Sequence, residues 1–159
     1  MARKTRKCAF KSCLHGGTVN IEGGDEYIIE GKYCYHKDCL HEKNNLALIR
    51  SMWHDNISST VVYSHLNKVI TEIIAEGNVT TDYIIHVLQY VIDNKKSLRY
   101  PNGLKYYVDS QEILDDYERK TRKLIKQKEI REAVRLNADS PKFQIKCKKS
   151  GFLEIFGGE

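Results

Sequence analysis

The chain has 159 residues, 41% apolar and 30% charged, with a net charge of +5. That size and balance suit one compact domain, or a core domain with a small appendage, and argue against repeat arrays and multidomain enzymes. Apolar runs such as Tyr27-Ile28-Ile29 and Tyr83-Ile84-Ile85 are far shorter than the roughly 20 residues of a bilayer span. The basic start from Met1 to Lys7 leads into Cys8 and Phe10 rather than an apolar stretch, so a secretory signal is not expected and a cytoplasmic protein is.

The charge is segregated. Residues 1 to 50 carry nine Lys/Arg against six Asp/Glu, residues 51 to 117 five against nine, and residues 118 to 159 twelve against six. Two basic ends flank an acidic middle, and a local positive potential of this kind attracts phosphate or an acidic protein surface.

In chain order, residues 8 to 39 are rich in loops, with Gly16-Gly17, Gly23-Gly24 and Gly31 between short apolar runs. Asp25 to Tyr35 reads as a β-hairpin turning at Glu30-Gly31-Lys32. From His36 the pattern becomes helical, with Leu40, Leu46, Ile49 and Trp53 on one side. Trp53, the single tryptophan, is expected at the junction between this region and a helical core. Ser58 or Ser59 is expected to cap a helix whose Val62, Leu66, Val69, Ile70 and Ile73 recur at three-or-four spacing as far as Gly77. Thr80 or Thr81 caps the next, carried by Ile84, Ile85, Leu88, Val91 and Ile92; β-branched residues also suit strands, but length and caps favour a helix.

Leu98 to Gly103 forms a turn. Asp109 with Glu112 has the spacing of a capping box before a third long helix. Ile113, Leu114 and Tyr117 give that helix an apolar beginning, nothing is apolar from Glu118 to Lys123, and Leu124, Ile125, Ile130 and Val134 are expected to restore sparse contacts. Pro141 ends it, and Phe143 to Phe156 reads as a short hairpin or tail. The domain division expected is 1–57 for a metal-binding module and its following helix, 58–140 for the helical core and basic helix, and 141–159 for the tail.

Five cysteines are an odd number and poor material for a disulfide framework in a reducing compartment. Cys8, Cys13, Cys34 and Cys39 cluster in the first quarter and Cys147 stands alone. Cys8 with Cys13, and His36 with Cys39, form two ligand pairs of the type that encloses a tetrahedral zinc when one pair sits on a knuckle and the other at a helix start. Cys34 is an alternative fourth ligand, since it precedes His36 by two residues on the incoming strand. His36 is preferred because a hairpin running into a helix delivers a pair three residues apart. Thiolate and imidazole donors suit zinc better than calcium or magnesium. Four protein ligands leave no open position for water, so the expected role is structural. Glu30, Asp38 and Glu42 would be general-base candidates for a catalytic ion; solvated surface carboxylates account for them as well.

Asp25-Glu26-Tyr27, Gly31 and Tyr35-His36-Lys37-Asp38-Cys39 together resemble the second half of small LIM-like or treble-clef zinc modules found in proteins of phages and mobile elements of Gram-positive bacteria. The stretch from Tyr83 to Tyr117 is similar to the helical region that often follows in such proteins. The resemblance implies that His36 and Cys39 are zinc ligands completed by the earlier cysteine pair. It also implies a phage setting and, for modules of this shape, frequent recognition of other proteins. This chain spaces its first pair by four residues rather than two.

On the basic helix, Arg119, Arg122, Lys123 and Lys126 share a face through i, i+3 and i, i+4 relations. Such a stripe can track a phosphate backbone, with Lys146, Lys148 and Lys149 extending it and the Arg3-Lys4-Arg6-Lys7 arm adding contacts; a solvated face explains the same residues without a partner. Tyr100, Tyr106 and Tyr107 near Arg99 and Lys105 are candidates for stacking on bases, although tyrosines at helix boundaries are commonly buried by ring and wet at the hydroxyl. A metal-dependent nuclease is the weakest reading: His41 with Asn44 and Asn45 lacks a paired histidine, and Asp109, Glu112 and Asp116 are explained by capping and the helix dipole. The sequence therefore predicts an α+β protein, a small zinc hairpin module on a mainly helical core with a long basic helix. It is expected to be non-catalytic, to contact nucleic acid or, alternatively, a host nucleic-acid-processing protein complex as a regulator or inhibitor, and to use no membrane and no small-molecule substrate.

Overall fold

The structure, a computed structural model, describes residues 5–138 except 14 and 78, without the side chains of 136–138. The expected tail 141–159, with Cys147, Lys146, Lys148 and Lys149, and the Arg3-Lys4 part of the N-terminal arm lie outside the described residues. The protein is α+β and mainly helical. Its elements run β1 (Thr5–Lys7), β2 (Thr18–Asn20), β3 (Tyr27–Glu30), β4 (Tyr33–His36), α1 (Lys37–Asn56), α2 (Tyr63–Gly77), α3 (Thr81–Asp93), α4 (Gly103–Val108) and α5 (Gln111–Ala138). The chain divides into two compact units between Arg119 and Lys120.

Two antiparallel hairpins open the first unit. β1 pairs with β2, Arg6 opposite Val19, and β3 with β4, Ile29 opposite Cys34 and Tyr27 opposite His36. The β3–β4 turn is Gly31-Lys32, as the sequence predicts; Gly31 has φ +61°, and positive φ at the first turn position is the type II′ geometry whose twist matches paired strands. A bridge between Cys8 and Cys34 ties the hairpins together, closed by the Ala9 N–H donating to the Cys34 carbonyl at 2.9 Å.

Strand β4 runs directly into α1, a helix that serves two interiors. Its first turn places Cys39 and Leu40 in a small cluster with Cys8, Val19, Cys34 and Tyr35. Its later turns place Leu46, Ile49, Met52 and Trp53 in the main helical core. That core is filled by Leu66, Val69, Ile70 and Ile73 of α2, Tyr83, Ile84, Val87, Leu88 and Val91 of α3, Leu104 of α4 and Ile113 of α5, at the helical spacing expected of one buried face. Trp53 is wholly buried in this core and does not sit at the junction with the metal-binding module, as the sequence suggested.

Several boundaries differ from expectation. α2 begins at Tyr63 rather than after Ser58 or Ser59, and Val62 is exposed, because the Ser58 hydroxyl is used locally by Thr60, whose N–H donates to it. Thr80 does cap α3, its hydroxyl accepting from the Tyr83 N–H at 3.3 Å. Asp109 and Glu112 form no capping box. Asp109 ends the short helix α4, which sequence reading missed, and Glu112 accepts from the Tyr90 hydroxyl. Leu124, Ile125, Ile130 and Val134, expected to restore sparse contacts, are exposed.

A polar network joins α1 to α3. The buried Asn45 amide donates to Thr81 Oγ1 at 2.9 Å and Asp82 Oδ1 at 3.0 Å, while the Thr81 hydroxyl donates to Glu42 at 3.0 Å. Removing one partner leaves a buried polar atom unsatisfied. Asn45→Ala is expected to lower unfolding free energy by about 1–3 kcal/mol, measured by urea denaturation with an unchanged slope.

Candidate metal centre

Four side chains from four points of the chain converge beside the start of α1: Cys8, Cys13, His36 and Cys39, each offering one donor atom, all four atoms within 4.8 Å of one another. The Cys13 and Cys39 sulfurs are 3.7 Å apart, and His36 Nδ1 lies 3.4 Å from Cys13 Sγ and 3.8 Å from Cys39 Sγ. A tetrahedron around an ion the size of zinc has edges of about 3.8 Å between sulfurs and about 3.6 Å between sulfur and nitrogen. The spacing of Cys13, His36 and Cys39 matches those edges, and Cys8 lies close enough to complete the group around a metal ion. The four cysteines within the described residues are free thiols.

Local structure explains each position. Cys8 extends β1, its N–H donating to the Gly17 carbonyl at 2.8 Å. Cys13 sits at a knuckle completed by Gly16 and Gly17, both at positive φ, a conformation glycine adopts without Cβ strain. The turn aims the His15 and Gly17 N–H groups at Cys13 Sγ, at 3.4 and 3.3 Å. His36 is the N-cap residue of α1 and Cys39 lies in its first turn, so the i, i+3 spacing puts both on one side and the helix dipole favours negative charge on the Cys39 sulfur.

The surroundings of Cys13 shift its thiol toward easier ionisation. Burial pushes its thiol up, but hydrogen bonds from the His15 and Gly17 N–H groups and from the Cys39 and Cys8 thiols outweigh this and bring it below the ordinary value; a thiolate is the form that binds metal. With His36 Nδ1 turned to the sulfurs, its buried Nε2 has no hydrogen-bond partner among the described residues and faces Asp25 Oδ2 at 3.7 Å. A carboxylate behind a ligating imidazole fixes its tautomer and orientation. Asp25 itself is held by the Asn20 N–H at 2.7 Å. Nothing in the spacing of the sequence marks Asp25 for this position.

Cys34, the alternative ligand, is buried but stands outside the four-residue group. Glu30 is paired with Lys43 at 2.7 Å, Asp38 with His15 at 3.7 Å, and Glu42 accepts from Thr81, so none of these carboxylates joins the cluster. His41 bonds Asp82, whose carboxylate holds the imidazole above its ordinary range, and Asn45 bonds Thr81; the His41, Asn44, Asn45 sequence forms no metal-holding group. Asp116 lies against His86 and Arg119 and Glu112 against Tyr90, so the suggested cation site on that face does not assemble. Lys105 is held by Glu72 and Glu76 at 3.1 and 3.3 Å, which removes it as a free cation beside the exposed Tyr100 and Tyr106. On α5, Arg119, Arg122, Lys123 and Lys126 are all exposed. Arg119 is paired with Asp116, whereas Lys123 and Lys126 have no carboxylate partner among the described residues. No described helix is long and apolar enough to cross a membrane.

No family model matches the chain, and no curated protein or solved structure does.

The geometry makes the ligand set testable by competition with a chromophoric chelator. The wild-type chain is expected to hold one ion, Cys34→Ser to keep it and Cys39→Ser to lose it. Asp25→Asn is expected to weaken binding about 10–100-fold.

Proposed function

We propose that the ion is zinc, that it is structural, and that the protein is a non-catalytic nucleic-acid-binding protein contacting the phosphate backbone through α5. Three thiols and an imidazole at tetrahedral spacing are a donor set that suits zinc. Apart from the cysteines, the small interior around them fully buries only Val19 and Tyr35 as apolar side chains among the described residues, with Phe10 and Leu40 partly buried against them. One such side chain contributes about 1.5–3 kcal/mol, while ordering each residue's backbone costs about 1–2 kcal/mol. The segment from Cys8 to Cys39 therefore needs the ion to hold its shape. The order of knuckle, hairpin and helix supports a treble-clef reading, and the resemblance to phage and mobile-element modules supports a bacterial cytoplasmic setting.

The observation that carries the nucleic-acid reading is the exposed cationic surface of α5. From Arg119 to Arg135 it has eight Lys/Arg against two acidic residues, Glu129 and Glu132, and none of residues 118 to 135 is buried. Lysines without carboxylate partners release counterions when they meet phosphates, which produces salt-sensitive, sequence-independent affinity.

A second reading, docking on a host nucleic-acid-processing protein, is favoured by one observation: Leu124, Ile125, Ile130 and Val134 are 50–62% exposed on the same helix. Large apolar side chains left in solvent are material for a protein interface.

Elemental analysis of the freshly purified chain is expected to find one zinc per chain, and duplex DNA or RNA to bind with affinity falling linearly on a log–log salt plot. Replacing Lys123 and Lys126 by glutamine is expected to reduce that slope by about 2. Stoichiometric capture of a single host protein, with no affinity for any nucleic acid, would decide for the second reading.

A further inference from the structure

A groove of about 640 Å³ runs beside the two hairpins. Its walls carry Arg6 and Lys7 of β1 and Lys32 of the β3–β4 turn, and its apolar surface includes Tyr27, Ile29 and Tyr33. No carboxylate lines it. None of the three cations forms an ion pair among the described residues, whereas the neighbouring Lys37 and Lys43 are occupied by Glu26 and Glu30 at 2.8 and 2.7 Å. Glu26 and Glu30 are thus spent on other lysines, and Asp25 is turned to Asn20 and His36.

The apolar surface is open as well. Tyr27 is 38% exposed, and Ile29 and Tyr33 are each 49% exposed, although strand residues of a small module ordinarily cover themselves. Lys32 Nζ lies over the Tyr33 ring, 5.4 Å from its centre, so one face of the ring carries an ammonium and the other is the one left for stacking. Tyr27 and Ile29 share one face of the hairpin with their cross-strand partners His36 and Cys34, whereas Tyr33, opposite Glu30, belongs to the other face and lines the groove beside the Gly31-Lys32 turn.

We infer that this groove binds single-stranded nucleic acid, with unpaired bases stacking on Tyr33 and Tyr27 and the backbone phosphates meeting Arg6, Lys7 and Lys32. Aromatic faces interleaved with unpaired cations are complementary to a strand whose bases are free to stack, and a duplex hides those faces within its own stack. The charge complementarity selects a polyanion over an apolar protein segment or a second copy of this basic chain. The inference rests on the nucleic-acid reading above but uses different residues, so the two can fail separately.

The test measures anisotropy of a short labelled oligodeoxythymidine, with oligouridine as a second arm and a mixed-sequence duplex as competitor, on the full chain. Four proteins are compared: wild type, Tyr33→Leu, the double variant Arg6→Gln with Lys32→Gln, and the Lys123→Gln, Lys126→Gln protein. The wild type is expected to prefer the single strand to the duplex by at least about tenfold, and Tyr33→Leu to lose about tenfold for the single strand alone. The double variant, confined to exposed side chains, is expected to lose single-strand affinity and salt sensitivity together. One metal ion per chain in each variant shows the module intact. Single-strand binding unchanged in both groove variants but reduced in the α5 variant overturns the groove and leaves the α5 reading standing. Equal affinity of the wild type for single strand and duplex overturns it too, and a wild type that binds neither overturns both readings.

Discussion

The start of helix α1 is where His36 and Cys39 meet the sulfurs of Cys8 and Cys13, and much of the first unit is organised around that meeting. The described residues between these ligands bury little besides cysteine, valine and one tyrosine, so hydrophobic burial among them is a weak organiser of the segment. Backbone groups take part instead: the Gly16-Gly17 turn directs N–H groups at Cys13, and β4 feeds His36 straight into the first helical turn. Each device delivers a donor atom rather than an apolar surface. A zinc ion, as proposed, would convert those placements into stability, since the folding energy of such modules is largely the binding energy of the metal.

From that point α1 carries the constraint into the helical core. One end of the helix holds Cys39, and about three and four turns later Ile49 and Trp53 are fully buried in the core with residues of α2 and α3. The Asn45, Thr81, Asp82 and Glu42 network fixes the rotation of α1 against α3 with directional bonds, where an apolar contact alone would tolerate sliding. A ligand position and a core position on one rigid helix cannot shift independently. This explains how a module with so small an interior keeps a defined place on a core of ordinary hydrophobic construction.

The distribution of charge follows a different logic. In the first unit Lys37, Lys43 and Lys105 are matched by glutamates. Arg6, Lys7 and Lys32 lack such partners among the described residues, and so do Lys123 and Lys126 of α5. Net charge says little about a partner, but cations left unmatched beside matched ones mark where the surface potential is kept. The proposed contacts fall on unmatched cations that share a groove or a helix face.

Helical spacing and caps made α1, α3 and the buried faces of α2 and α3 readable from the sequence, because a period of three or four and a threonine before it are local properties. The hairpin turn at Gly31-Lys32 and the four donors Cys8, Cys13, His36 and Cys39 were readable for the same reason: turn chemistry and ligand spacing are written in neighbouring residues. Local reading failed where a side chain had a choice of partners. Asp109 could cap the following helix or close the preceding one, Ser58 could cap α2 or serve Thr60, and Cys34 could point to the ion or to the groove. Only the packed chain offered the competing partner in each case. The position of Asp25 behind His36, the burial of Trp53 in the helical core, the exposure of Leu124 and Ile125, and the groove between residues as distant as Arg6 and Tyr33 likewise depend on which segments are brought together, and contacts between distant segments leave no period or spacing in the sequence that joins them.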